Sequence, residues 1–227
     1  SQKEKEALRG KEMALVPQSV SYLDPLMKVG TQVRGRKADK EIIKAQREIF
    51  RRFHLDEKTE QLYPFQLSGG MARRVLVSTA VLSGAEVIIA DEPTPGLDLE
   101  MALEALKIFR ELADEGKAVI LITHDIDLAF HIADRIAVFY AGTTVEMADA
   151  KDFVEGVDAL RHPYSKALWK ALPQNGFEPI PGFQPYAKYL PKGCLFSPRC
   201  PHKTKECEEN IPMREVRGGY VRCIHAD

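Results

Sequence analysis

An α/β fold built on a parallel sheet is what this sequence predicts, and three observations predict it. Glu86 to Ala90 is a short apolar run that ends in two adjacent carboxylates, Asp91 and Glu92. A run of that kind fits a buried parallel strand, and carboxylates at its C-terminal end stand where α/β folds put their chemistry. Ala118 to Thr123 is a second such run, with His124 at its end. Between the two, Met101, Leu103, Leu106, Phe109 and Leu112 recur at near-helical spacing and predict a core-facing helix ending near Gly116.

Upstream, Leu67 leads into Ser68-Gly69-Gly70-Met71. The glycines leave backbone N–H groups open to close approach by an anion. Met71 to Leu82 has few breakers and reads as a helix, with Ser68 as its N-cap, so the turn sits where unpaired donors and the positive end of a helix dipole face outward. After Glu92, Pro93, Pro95 and Gly96 break the chain, and Asp98 is placed to cap the next helix.

Four motifs in this order carry a resemblance: Leu67 to Met71, Ile89 to Thr94, Gly96-Leu97-Asp98, and Ile122 to Asp125. Together they resemble the nucleotide-binding subunit of an ABC transporter. The resemblance implies an ABC ATPase core of P-loop NTPase type with a helical subdomain at about 25–84. It also predicts a phosphate loop, G-x-x-x-x-G-K-[ST], ahead of the first strand. No such loop stands in the residues before Gln18; Gly10 is followed by Lys11-Glu12. The expectation is an ATPase domain over 1–160 without that part, inactive when tested alone.

Bulk composition sets limits. With Lys+Arg 32 against Asp+Glu 33, the net charge of −1 argues against a general nucleic-acid binder. No apolar run approaches the ~18 residues of a membrane span, and the charged start shows no signal peptide. A membrane role therefore runs through partner proteins.

Taken in order, Met13 to Val16 is a short strand ending at Pro17-Gln18, and the resemblance makes this the Q-loop. Val20 to Gly30 resembles the segment that follows it in peptide and nickel importers. Ile42 to Phe53 predicts an amphipathic helix with Ile42, Gln46, Ile49, Phe50 and Phe53 on one stripe. Between Arg34 and Arg52 eight basic residues face three acidic ones, which is either a solvated face or a contact for an acidic partner or lipid headgroups. Ile126 to Ala133 reads as a helix, and Arg135 to Tyr140 and Thr143 to Met147 as a hairpin turning at Ala141-Gly142.

From 161 onward the composition changes. His162 to Leu168 resembles the short closing helix of these importer ATPases, and six prolines between Pro173 and Pro198 predict a wrapped or extended linker rather than a new core. This C-terminal extension, 161–227, holds all four cysteines and resembles that of the oligopeptide, dipeptide and nickel branch.

The resemblance assigns roles by residue. Asp91 holds Mg²⁺ through water, and Gln18 touches that Mg²⁺ and the attacking water. Glu92 orients and polarises the water, and His124 contacts it and the γ-phosphate. Ser68, Gly69 and Gly70 act on ATP held by a second ABC ATPase subunit, in a homo- or heterodimer with Asp98 at the seam. Where the family pattern has glutamine, this chain has Arg73. The spacing of Cys194, Cys200, Cys207 and Cys223 is not the paired C-x2-C of zinc fingers. A [4Fe–4S] cluster, which the resemblance favours because some relatives with this extension carry one, Zn²⁺, and disulfides or free thiols all stay open, a cytosolic setting speaking against stable disulfides.

The reading is thus an ATP-hydrolysing subunit at the cytoplasmic face of the membrane. It would power import of oligopeptides, dipeptides or nickel with transmembrane permease subunits and, indirectly, a solute-binding protein. The alternative is a non-transport ABC-type regulatory module without hydrolysis.

Overall fold

The structure, a computed structural model, describes residues 6–8, 10–35, 39–94 and 99–227. The chain divides into two compact units, Ser1–Leu128 and Ala129–Asp227, so the expected boundary at 160 falls inside the second.

In the first unit, β1 (Met13–Val16), β2 (Val87–Asp91) and β3 (Ala118–Ile122) form a parallel sheet in that spatial order. Val16 pairs with Ala90 and Asp91 with Ile122, so the residues that follow all three strands emerge at one edge. Helices α1 (Val29–Arg34), α2 (Lys40–Arg52) and α3 (Gly69–Leu82) lie between β1 and β2 in the chain, and α4 (Leu99–Asp114) lies between β2 and β3. Segment 95–98 lies outside the described residues, and with it Asp98 and its expected capping role.

Local chemistry starts and holds these helices. The Asp39 side chain accepts from the Ile42 amide and caps α2, two residues earlier than the periodicity alone places it. The stripe predicted on α2 is buried at Gln46, Phe50 and Phe53. Gln46 escapes the cost of an unpaired buried amide by accepting from Arg34 at 2.6 Å and donating to Glu60 at 3.3 Å. Arg47 also bonds Glu60, at 2.7 Å, and holds that carboxyl below the usual carboxylate range. On α4, Leu106, Phe109 and Leu112 are buried as expected. Leu103 is 38% exposed, because Ala102 and Ile108 turn the buried face away from it. The side chain of Met101 lies outside the described set.

The sheet differs from expectation on one face. Ala14, Val16, Ile88 and Ala90 are buried, with α3 packed on β1 and α4 on β3. On the opposite face Leu15, Ile120 and Ile122 remain 55%, 51% and 48% exposed. The apolar runs read as buried on both sides, as parallel strands usually are; among the described residues only one side is covered.

In the second unit, β4 (Arg135–Tyr140) and β5 (Thr143–Asp149) form the predicted hairpin, with positive φ at both turn residues, Ala141 and Gly142. The tail does more than wrap. β6 (Arg214–Val216) and β7 (Gly219–Val221) extend this sheet in the order β4-β5-β7-β6. Cys194, Phe196, Cys207 and Ile211 share one core with Val138, Tyr140, Val145, Ala148, Phe153 and Leu160. Phe196 meets the rings of Tyr140 and Tyr164 at 5.4 and 5.3 Å. The linker reading describes only the earlier stretch, where Phe177, Phe183, Tyr186 and Tyr189 are at least 72% exposed. Proline density marks that stretch, but the apolar residues after it come from scattered positions with no periodicity.

A buried ionic knot fastens the tail hairpin. Arg161 pairs with Asp152 at 2.8 Å and Glu146 at 3.5 Å, and donates to the Val216 and Arg217 carbonyls. A Cβ on Gly219 would stand 2.7 Å from the Arg161 guanidinium carbon, so this contact requires glycine. Glu146 also accepts from the Arg161 and His162 amides at 2.9 and 2.8 Å, which gives a fully buried carboxylate the partners it needs.

His162 Nδ1 accepts from the Tyr164 amide and caps α7 (Pro163–Lys170), which follows α5 (Ile126–Ile132) and α6 (Ala150–Glu155) in the chain. Burial pushes its imidazole down from 6.5 to about 4. The unfolded chain therefore takes up a proton that the folded one refuses. The stability from this group is present above 6.5 and is lost as pH falls toward 4. We predict an acid-side loss of up to about 3 kcal/mol from this residue. His162→Asn, which retains a capping oxygen but does not titrate, should flatten that part of the stability–pH curve in denaturant titrations. An unchanged slope in the variant would refute the assignment.

Candidate functional site: the C-terminal edge of the parallel sheet

The site is assembled by the register of the sheet. β1 delivers Pro17 and Gln18, β2 delivers Asp91 and Glu92, and β3 is followed by Thr123 and His124. The Glu92 amide donates to the Ile122 carbonyl at 2.8 Å, which prolongs the β2–β3 ladder by one bond past the strand end. Glu92 itself has φ +45, a left-handed conformation that costs a non-glycine residue roughly 1–2 kcal/mol. The bend brings its carboxylate to the histidine: Glu92 Oε1 lies 2.8 Å from His124 Nδ1. The other oxygen, Oε2, is buried with no hydrogen-bond partner among the described residues. An unpaired buried acceptor of this kind costs about 1–3 kcal/mol, and it is the atom through which the site can accept from a further donor.

His124 is 81% exposed at its side chain, whereas Glu92 is 18% exposed. The hydrogen bond to Glu92, and then the charge of that carboxylate, raise the His124 pKa above its ordinary value. Thr123 Oγ1 accepts from the Asp125 amide and Asp125 accepts from the Leu128 amide, so the turn carrying His124 is tied into the start of α5.

The Ser68 turn forms as expected. Ser68 Oγ accepts from the Met71 amide at 3.2 Å and caps α3, and the space above Gly69 is open. Among the described residues, no hydrogen bond joins Ser68, Gly69 or Gly70 to the Glu92–His124 pair. Gln18 is exposed, and Asp91 is half-buried at the end of β2. Their side-chain oxygens are the hard donors that suit Mg²⁺, and they stand on adjacent strands at one edge.

Sequence reasoning gave no part in the site to Arg73. Its side chain is buried, and its guanidinium reaches the carbonyls of Gln18, Pro17 and Glu92 at 2.6, 3.3 and 3.5 Å. The one signal was its departure from the family pattern.

All four cysteines are free thiols in the second unit; Cys194, Cys207 and Cys223 are buried. Burial, and then the neighbouring thiols, raise the pKa of Cys194, Cys200 and Cys223. Cys207 Sγ lies 3.4 Å from His225 Nε2. Among the described residues, no group of three or more His, Cys, Asp or Glu is arranged to hold a metal ion.

A raised His124 pKa favours the imidazolium. The Glu92 contact is thus at full strength below 6.5 and is lost as pH rises through the raised value. We expect an NMR titration of His124 to show a midpoint above 6.5 that falls back toward it in Glu92→Gln. A midpoint that ignores the substitution would mean the pair is not formed in solution.

Residues 1–95 match the family described as ABC transporter, and residues 145–207 match the oligopeptide/dipeptide transporter C-terminal region. The chain is 35% identical to the oligopeptide transport ATP-binding protein OppD of Escherichia coli (strain K12), over 95% of this chain and 67% of that protein. It is 34% identical to the dipeptide transport ATP-binding protein DppD of Bacillus subtilis (strain 168), over 96% and 68%. A solved structure, the ATP-binding cassette MJ0796 in a dimeric post-hydrolysis state bound to ADP and Pi, superposes with a TM-score of 0.59 at 26% identity, over 66% of this chain and 68% of that one. The strands, the carboxylate–histidine pair and the tail thus fall within one lineage: the chain belongs to the ATP-binding subunits of ABC transporters, in the oligopeptide and dipeptide branch.

Proposed function

We propose that this chain is an ATP-hydrolysing subunit that powers import of short peptides. The observation that carries the reading is Glu92, bent by a positive φ, bonded to His124 through one oxygen and keeping the other buried and, among the described residues, unpaired. Oε2 is the acceptor that would orient the attacking water. His124 bonds the carboxylate and, being exposed, would contact the γ-phosphate. Gln18 and Asp91 would hold Mg²⁺, which when bound supplies neutralising charge for the phosphate oxygens. Phosphoryl transfer asks for placement and charge stabilisation more than for covalent help, and a rigid sheet edge provides the placement.

The open turn at Ser68, Gly69 and Gly70 would act on ATP held by a second ABC ATPase subunit, and the chain would work at the cytoplasmic face of the membrane through permease subunits and a solute-binding protein. Among the described residues no helix is long and apolar enough to cross a membrane, which fits a peripheral subunit. Nickel as the cargo rests on the resemblance of the tail and the Gln18 segment alone.

Cys194, Cys200, Cys207 and Cys223 would ligate a metal centre. A single Zn²⁺ needs its thiolates about 2.3 Å from one point. A [4Fe–4S] cluster binds each thiolate to a different iron and so accepts wider spacing, which fits four neighbouring thiols better.

In the assembled transporter, Glu92→Gln should lower turnover by at least ~10²–10⁴ while ATP still binds; an unchanged rate would move catalysis away from this residue. Anaerobic purification followed by iron, sulfide and zinc analysis tests the tail. About four irons per chain is the expected outcome on the cluster chemistry, and freely titrating thiols with no metal would end the cluster reading.

A further inference from the structure

Arg73 sits in the first turns of α3, behind the Ser68 cap, yet it is only 6% exposed. A buried arginine ordinarily meets a carboxylate, since an unpaired internal cation is costly. Here its partners among the described residues are all backbone carbonyls. One terminal nitrogen, Nη1, donates to Gln18 at 2.6 Å, Pro17 at 3.3 Å and Glu92 at 3.5 Å. Two N–H groups thus serve three acceptors, with Gln18 taking the short bond. Burial without a counter-charge lowers the guanidinium pKa, yet a guanidinium stays protonated in proteins.

The three carbonyls belong to the two strand ends that carry functional side chains. Gln18 follows β1, Glu92 follows β2, and α3 begins at the Ser68 turn. No other described side chain bonds both strand ends. The Glu92 carbonyl belongs to the very residue whose positive φ aims the carboxylate, so a bond there helps hold a conformation that the chain does not favour. A glutamine, which the family pattern carries at this position, has a shorter arm and a single N–H₂ group with which to span the same gap.

We propose that Arg73 is a positioning residue. Its guanidinium ties α3 to the backbone of Gln18 and of Glu92, and it sets the placement of the metal-binding amide and the water-orienting carboxylate relative to one another. The inference rests on the ATPase reading for its consequence, though not for the contact itself.

Two measurements separate the contact from its consequence. Amide hydrogen exchange on the 227-residue chain needs no ATPase activity. In Arg73→Met, exchange at Gln18, Ser19, Glu92 and Thr94 should rise while β3 and the β4–β5 hairpin keep their protection. Exchange that stays the same at those four amides, or rises everywhere alike, overturns the tie. ATP turnover of the assembled transporter reads the consequence. Arg73→Met should lower kcat on the order of tenfold to a hundredfold, the scale of a small misplacement, with KM for ATP within about twofold. Arg73→Lys should recover only part of that loss, because a single ammonium does not span three carbonyls as a planar fork does. A normal kcat in Arg73→Met overturns the positioning role, as does a loss that follows the folded fraction alone. If a transporter whose unsubstituted subunit also carries a phosphate loop hydrolyses no ATP, the ATPase reading fails, and the exchange data still decide whether Arg73 makes the tie.

Discussion

The parallel register of β1, β2 and β3 is the constraint on which the site depends. Because Val16 pairs with Ala90 and Asp91 with Ile122, three segments far apart in sequence leave the sheet side by side. Side chains alternate along a strand, so a slip of one residue in β2 would turn Ile88 and Ala90 out of the core and carry Asp91 and Glu92 to the wrong faces. The apolar alternation that buries Ala14, Val16, Ile88 and Ala90 therefore also aligns the chemistry, and the bend at Glu92 then turns its carboxylate onto the histidine.

Against that rigid frame, the site holds two local penalties. Glu92 occupies a left-handed conformation and leaves one carboxylate oxygen buried and unpaired. Both are tolerable because neighbouring groups pin the segment: the Ile122 carbonyl accepts from its amide, His124 holds Oε1, and Arg73 reaches its carbonyl. Two of these contacts come from the end of β3 and the turn after it and the third from α3, so the strained residue is supported from two sides.

Much of this was legible in the sequence where the signal is local. The runs at Val87 and Ala118, the Ser68 cap and the Ala141-Gly142 turn are short-range patterns, and each formed within a residue or two of its expected place. The juxtaposition of Glu92 and His124 came from the order of motifs rather than from any single residue. Arg73 was illegible because an arginine within a helix reads as solvated, and only tertiary packing shows that its partners are carbonyls 55 and 19 residues away. The tail misled for a related reason. Its prolines are visible as composition, whereas Phe196 and Ile211 become core only once the hairpin at 135–149 is present to receive them.

The sheet of the second unit also dictates an order of events. Arg222 bonds the Thr144 carbonyl across 78 residues of chain, and β7 is the strand that completes β5. During synthesis the β4–β5 hairpin can close at once, but its outer edge must wait until that whole excursion has left the ribosome. Closing so long a loop is slow, and until it closes Tyr140 and Tyr164 lack the Phe196 ring that packs against both. The nascent second unit is therefore exposed to misassociation for longer than its size suggests, and its folding rate is set by the return of the tail rather than by the hairpin that forms first.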